Sequence, residues 1–182
     1  TLPALDPASR QPELKHCAVR ISRAALPWRL VAFGYPPHGD ALALLESMQP
    51  LLERFTFASC VQVGRDREGI VIRAAAESPV EADLIESIDE RLALTGAGAL
   101  RYDDPRRGIG RRVRLADGRI EAARLTGETS AEAWLKELFE QQGDAGEFGR
   151  FLLLPGARPP GGIGSRGRTV CNCLNVGQIQ IE

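Results

Sequence analysis

The chain has 182 residues, 43 % of them hydrophobic, enough for one ordinary domain with its own core or for a smaller domain with tails. Its formal net charge of -1 gives no electrostatic basis for holding nucleic acid or anionic lipid. No apolar run approaches the roughly 18 residues of a membrane-spanning helix, and the opening TLPALDPASRQPELK lacks the basic and apolar regions of a secretion signal.

Residues 1–26 read as a polar, Pro-rich tail, with CAVRI (Cys17 to Ile21) as a short strand inside it. The chain opens on Thr1 rather than Met, which suggests a piece excised from something longer. WRLVAF, Trp28 to Phe33, is a strand stopped by GYPPHG. Asp40 can then N-cap a helix carrying Ala41, Leu44, Leu45 and Met48 on one face, with Pro50 interrupting it. RFTFASCVQV is aromatic and β-branched, hence a strand, and GRDREG turns the chain into a second one, IVIRAAA. The next helix is expected to start at Ser78, with Pro79 at its first position and Glu81 closing a capping box. Leu84, Ile85, Ile88 and Leu92 give it an apolar face, and Gly96 is placed to end it.

ALRYDD is a strand ended by Pro105, and RRVRLADGRIEAARL is a hairpin turning on Asp117-Gly118, a pair that tolerates positive φ. TSAEAWLKELFEQQG is a helix with Thr129 as cap, Glu132 completing the box and Gly143 as terminator. Its stripe is Ala131, Trp134, Leu135, Leu138 and Phe139, and Glu132 and Lys136 form a favourable pair four apart. Trp28, at the start of a strand, is expected to matter less to stability than Trp134.

The order written from this pattern is β-α-β-β-α-β-β-α. It implies an α+β fold, an antiparallel or mixed sheet with helices packed on one face, and its first six elements match a ferredoxin-like βαββαβ order. By composition the chain divides into the tail 1–26, a folded domain 27–142, a Gly/Pro-rich linker 143–169 expected to be mobile, and a terminal segment 170–182.

Within the central domain chemistry is sparse. His16 and His38 lie in a tail and a turn without neighbours at ligand spacing, which is the pattern of solvent-exposed loop histidines. GIG at Gly108 to Gly110 lacks a third glycine and a following helix, so it fails as a dinucleotide fingerprint. The basic run RRGIGRR, Arg106 to Arg112, could meet a phosphate or an acidic partner, but more often marks a solvated strand edge. Cys17 and Cys60 stand alone, as small buried hydrophobes do, and the cysteine spacing is that of reduced thiols in a cytoplasmic protein. Cys171 and Cys173 differ: they are too close for an easy mutual bridge, and two thiolates on one tight turn can ligate a metal or a cluster iron.

Two segments resemble known proteins. LDPASRQPELKHCAVRI resembles the end of the molybdopterin-dinucleotide-binding domain of bacterial nitrate reductases in the molybdopterin oxidoreductase superfamily, which reads D-P-x-S-x-Q-P-E-x-K before a short apolar strand. GRTVCNCLNVG resembles the opening of a bacterioferritin-associated-ferredoxin-like domain, which binds a [2Fe–2S] cluster through C-x-C and a later C-x-x-C. The join of the two resembles the catalytic subunit of assimilatory nitrate reductases. The stretch Arg101 to Phe139 is similar to that subunit and also to the hairpin and helix before the same cluster domain in NADH-dependent nitrite reductases, whereas Trp28 to Gly98 matches by position only.

The resemblance implies that Cys171 and Cys173 are cluster ligands, half of a four-thiolate set, and that Lys15, followed by Gln11, contacts the molybdopterin cofactor; a solvated lysine is the alternative. It implies molybdopterin guanine dinucleotide and a [4Fe–4S] cluster elsewhere in a cytoplasmic parent enzyme, an electron-donating reductase or ferredoxin as partner, and no activity for these residues alone. Two other readings remain: a docking or spacer module for a redox partner, and the C-terminal piece of a nitrite-reductase-type flavoprotein, disfavoured by the molybdopterin-type tail.

Overall fold

The computed structural model describes residues 26–64 and 67–156, together with the backbone of two short paired strands, Thr169–Cys171 and Val176–Gly177. The first body is built from β1 (Trp28–Gly34), α1 (Ala41–Leu52), β2 (Phe57–Val63), β3 (Gly69–Ala76), α2 (Ala82–Arg91), β4 (Ala99–Asp104), β5 (Ile109–Ala116), β6 (Arg119–Thr126) and α3 (Glu132–Gln141), followed by a 3-10 helix, Gly146–Leu152. The strands form one six-stranded sheet in the order β2-β3-β1-β6-β5-β4, every neighbouring pair antiparallel. The expected α+β class holds.

Three details of the expectation change. Three strands, not two, separate the second and third helices, because both arms of the Asp117-Gly118 hairpin are full strands beside β4. The place next to β1 that a ferredoxin-like fold gives to its fourth strand is taken by β6. The tight β4–β5–β6 meander brings β6 back to β1 and leaves β4 at the far edge; β1–α1–β2 and β3–α2–β4 are each crossovers between parallel, non-adjacent strands.

Third, helices cover both faces of the sheet rather than one. Leu30, Ala32, Ile70, Ile72 and Ala74 meet Leu44 and Met48 of α1 and Leu84 and Ile88 of α2. On the opposite face Val31, Phe33, Val71, Val113 and Leu125 meet Trp134, Leu135, Leu138 and Phe139 of α3. WRLVAFG and IVIRAAA are nearly continuous apolar runs, the pattern of strands buried on both sides. Each fully buried Leu, Ile or Phe contributes about 1.5–3 kcal/mol. Gly34 is required where these layers close: a Cβ there would stand 2.9 Å from Ala122 Cβ and 3.0 Å from Leu92 Cδ2.

Local signals are partly obeyed. Asp40 caps α1 by accepting from Ala43 N–H at 2.8 Å, while Pro50 sits inside the last turn, where the helix runs on to Leu52. α2 starts at Ala82, not Ser78, with no side-chain cap, and its left-handed stop is Ala93 (φ 52), not Gly96. Asp117 and Gly118 take φ 49 and 75 as the hairpin requires. The Thr129 capping box does not form: Glu132 is drawn to Arg73 at 2.6 Å, and Lys136 pairs with Glu140 at 2.9 Å instead of Glu132. Gly143 donates back to Leu138 O at 3.0 Å, closing α3 behind Gln142 at φ 54.

Trp28 also departs from expectation. It is only 6 % exposed, stacked on Phe55 with ring centroids 6.3 Å apart, so it is a core anchor comparable to Trp134 at 7 %. The body continues past Gln142: Phe148 lies 5.6 Å from Trp134, and Leu152 is fully buried. The expected mobility of the Gly/Pro-rich stretch concerns mainly residues 157–168, which lie outside the described residues.

Candidate functional site

Of the site residues expected from sequence, Lys15, Gln11 and Cys173 lie outside the described residues, as do Cys17 and His16. Cys171 ends a strand and has Val176 as its register partner. Among the described residues no group of three or more His, Cys, Asp or Glu is placed to hold a metal ion. His38 is exposed in its turn.

Three networks join polar side chains from distant parts of the described body to its interior. The first is where the chain enters and leaves the sheet. Gly127 N–H donates to Arg29 O at 2.8 Å, tying the start of β1 to the residue after β6. The next residue, Glu128, accepts from Ser130 N–H at 2.6 Å and from Gly156 N–H at 3.0 Å, and forms an ion pair with Arg111. Arg111 is fully buried on β5 and also donates to Leu154 O at 2.8 Å. Burial alone would push the Glu128 carboxyl up; the hydrogen bonds from Ser130 and Gly156 and the Arg111 charge outweigh it and hold the group at about 2. A shallow cleft of about 440 Å³ opens beside this knot, lined by Pro27, Trp28, Glu77, Pro79, Arg107 and Glu128 among others.

The second place lies under α2. Asp89, 0 % exposed, accepts from Arg124 Nε and Nη2, each at 2.9 Å, a bidentate pair of the strong kind. Arg112 Nε stands 3.3 Å from the same carboxylate, and Arg124 donates to Thr126 Oγ1 at 3.0 Å. Gly110 makes room for this arrangement, since a Cβ there would fall 2.8 Å from both Arg124 Nη1 and Thr126 Oγ1.

The third place is on the α3 side. Tyr35 Oη donates to Phe139 O at 2.9 Å and accepts from Gln142 Nε2 at 2.8 Å, while the Arg67 guanidinium lies 4.0 Å over its ring and pairs with Glu121 at 2.5 and 2.7 Å. Burial pushes the Tyr35 phenol up to about 12, so it holds its proton at neutral pH. Cys60 is a free, half-buried thiol whose burial pushes it up to about 11, the state of an inert structural cysteine rather than a nucleophile.

The basic run Arg106 to Arg112 is thus not a solvated edge. Arg106 and Arg107 are exposed in the β4–β5 turn, but Arg111 and Arg112 belong to an interior strand and enter the first two networks. Asp89 carried one legible signal: it falls between Ile85, Ile88 and Leu92 at helical spacing, a charge on an apolar face. Its partners lie 35 residues away at Arg124 and across a strand at Arg112, which no local pattern links.

No family model matches the chain, and neither the curated proteins nor the solved structures compared with it give a match.

Proposed function

We propose that this chain is the connecting region of a molybdenum- and iron-sulfur-dependent nitrate reductase, an oxidoreductase, and that the folded body is a spacer between the molybdopterin-binding segment and a [2Fe–2S] electron-transfer segment. The end motifs support the parent enzyme: D-P-x-S-x-Q-P-E-x-K and C-x-C-x-x-V-G occur in one chain. In this reading Cys171 and Cys173 supply two of the four thiolates a [2Fe–2S] cluster takes, the donor set being soft sulfur as such iron requires. When bound, the cluster carries electrons toward molybdenum.

The observation that carries the spacer role is the Glu128 knot. Through Gly127 it holds the start of β1, and through Glu128 it holds Gly156, where the described body ends. The start of β1 and the last described residue of the body are therefore tied to the same short stretch, Gly127 and Glu128, by a few hydrogen bonds.

The test uses the full-length enzyme with its flanking sequence. Nitrate should be reduced by a chemical donor, the protein should contain molybdenum, and Cys171→Ser should remove the [2Fe–2S] electron-paramagnetic signal while molybdenum content stays. Glu128→Ala should slow electron transfer from cluster to molybdenum with both centres intact. Absence of nitrate reduction and molybdenum overturns the enzyme reading; an unchanged transfer rate in Glu128→Ala overturns the spacer.

A docking role for an electron-donating reductase or ferredoxin is a second reading, favoured by β2. This sheet edge, FASCVQV, has no charged side chain, and Val61 is 46 % exposed, although edges are usually blunted by charge. Val61→Lys should then impair turnover with the protein donor and leave turnover with the chemical donor unchanged; equal effects on both remove this reading.

A further inference from the structure

Among the described residues four buried side-chain nitrogens lack a hydrogen-bond partner: Trp28 Nε1 and the Nε atoms of Arg111, Arg112 and Arg114. Such orphans ask for an explanation, a bound ion among them. Arg111 is otherwise engaged with Glu128 and Leu154 O. Arg112 and Arg114 are alternate residues of β5 and project from the same face of the sheet.

Their neighbours on that face follow from the register. Arg112 has Arg101 directly opposite on β4 and Arg124 directly opposite on β6, a row of three like charges that ordinarily destabilises a sheet. Arg114 has Ala99 directly opposite on one side and Ala122 on the other, so its register partners on both neighbouring strands are small and uncharged. The loop leading into Ala99 carries Gly96 and Gly98, each with open space where a Cβ would stand.

The acids present do not balance this row. Both Asp89 oxygens are occupied by Arg124, and Arg112 Nε, 3.3 Å from one of them, makes no hydrogen bond to it. Asp103 is bound by Arg101 at the edge, and Glu86 on α2 is exposed and acts on Arg101 from a distance. Arg112, Arg114 and Arg124 against Asp89 leave two positive charges on a half-buried surface.

We propose that Arg112 and Arg114, with Arg101 at the rim, form a binding site for a doubly charged tetrahedral oxyanion, a phosphate group, on the α2 face of β4 and β5. Guanidinium forks present several N–H donors in fixed directions, which suits an acceptor with oxygens on every side. A dianion matches the two uncompensated charges, whereas a planar monoanion such as nitrate leaves one. Asp89 holds Arg124 aside through its bidentate pair, so that the site keeps its shape.

Thermal unfolding and equilibrium dialysis of the 182-residue chain at fixed ionic strength, with inorganic phosphate, sulfate, glycerol phosphate and nitrate as separate probes, test this. Inorganic phosphate and sulfate should raise the melting temperature saturably and bind once per chain, and nitrate should do neither. Arg114→Gln should lower phosphate affinity at least tenfold, and Arg114→Lys, which keeps the charge without the fork, should lower it less. Glycerol phosphate binding as well as inorganic phosphate identifies a phosphate ester as the occupant; binding of inorganic phosphate alone identifies the free ion. Unchanged phosphate affinity in both Arg114 variants, or an equal response to nitrate, overturns the proposal. Where Arg114→Gln fails to fold, the Arg114→Lys result alone decides.

Discussion

The two halves of the sheet are stabilised differently. In β2-β3-β1, Leu30, Ala32, Ile70, Ile72 and Ala74 pack on one face and Val31, Phe33 and Val71 on the other, with Arg73, the one charge of β3, paired to Glu132. In β6-β5-β4, the face under α2 carries Arg124, Arg112, Arg114 and Arg101, neutralised in part by Asp89 and Asp103. The first half is non-directional burial, tolerant of volume-conserving exchange. On its α2 face the second depends on one buried carboxylate, Asp89, and buried ion pairs are costly to half-remove. What the contrast teaches is that the same sheet contains a region robust to substitution and a region with one critical residue.

The largest expected effect follows from that residue. Asp89→Ala leaves Arg124, 3 % exposed, facing Arg112 without a counter-charge, and should destabilise by about 3–5 kcal/mol, read as a lowered urea midpoint. The double variant Asp89→Leu with Arg124→Met should recover most of the loss, since an apolar pair of similar size often equals a buried ion pair. A midpoint unchanged in the single variant would mean the two halves do not differ as described.

In the apolar regions the comparable test is a pair of tryptophans. Trp134→Ala removes an anchor between α3 and the 3-10 helix and should cost about 3–5 kcal/mol. Trp28→Ala should cost nearly as much through its stack on Phe55, offset by about 1 kcal/mol because the buried indole N–H it removes has no partner. A Trp28→Ala midpoint close to wild type would restore its reading as a peripheral strand-start residue.

How far the sequence carried this can be traced residue by residue. Strand positions, the Asp40 cap, the Asp117-Gly118 turn and the α3 stripe were legible because each is set by residues within about one helical turn of one another. Helices on both faces were signalled by continuous apolar runs in β1 and β3, a signal of burial that does not say which helix covers which side. The strand order was not legible, since β6 returns to β1 through pairings such as Phe33 with Ala123. The Asp89 and Glu128 networks were hidden because charge on a strand reads as exposure until the distant partner is known. At the C-x-C segment the expected ligands rest on resemblance alone.

A smaller effect concerns Glu128. Its folded-state carboxyl lies at about 2 against an ordinary 4.5, so its contribution is present above pH 4.5 and lost as pH falls toward 2. Chemical unfolding of wild type and Glu128→Gln across that range should show a stability difference that is greatest near about pH 6 and shrinks steadily below 4.5. A difference that grows on acidification would reverse the sign and remove Glu128 as the ionised clasp between Arg111 and Gly156.

The smallest effect is at the joint between the halves, where α2 hands over to β4. Ala93 adopts φ 52, a left-handed conformation that brings its own N–H to Glu90 O at 3.0 Å and the following Leu94 N–H to Asp89 O at 2.7 Å. That conformation costs an L-residue with a Cβ roughly 1–2 kcal/mol, and glycine avoids it. Glycine also gives the unfolded chain more freedom, which costs about 0.5–1 kcal/mol in return. Ala93→Gly should therefore stabilise the chain by about 0.5–1 kcal/mol, a rise of a few degrees in melting temperature. Ala97→Gly, in the exposed loop two residues before β4 begins, gives the comparison: with no left-handed strain to relieve, only the unfolded-state effect acts and the change should be destabilising. Two alanine-to-glycine changes of opposite sign within one loop would place the helix stop at Ala93; equal signs would return it to the glycines.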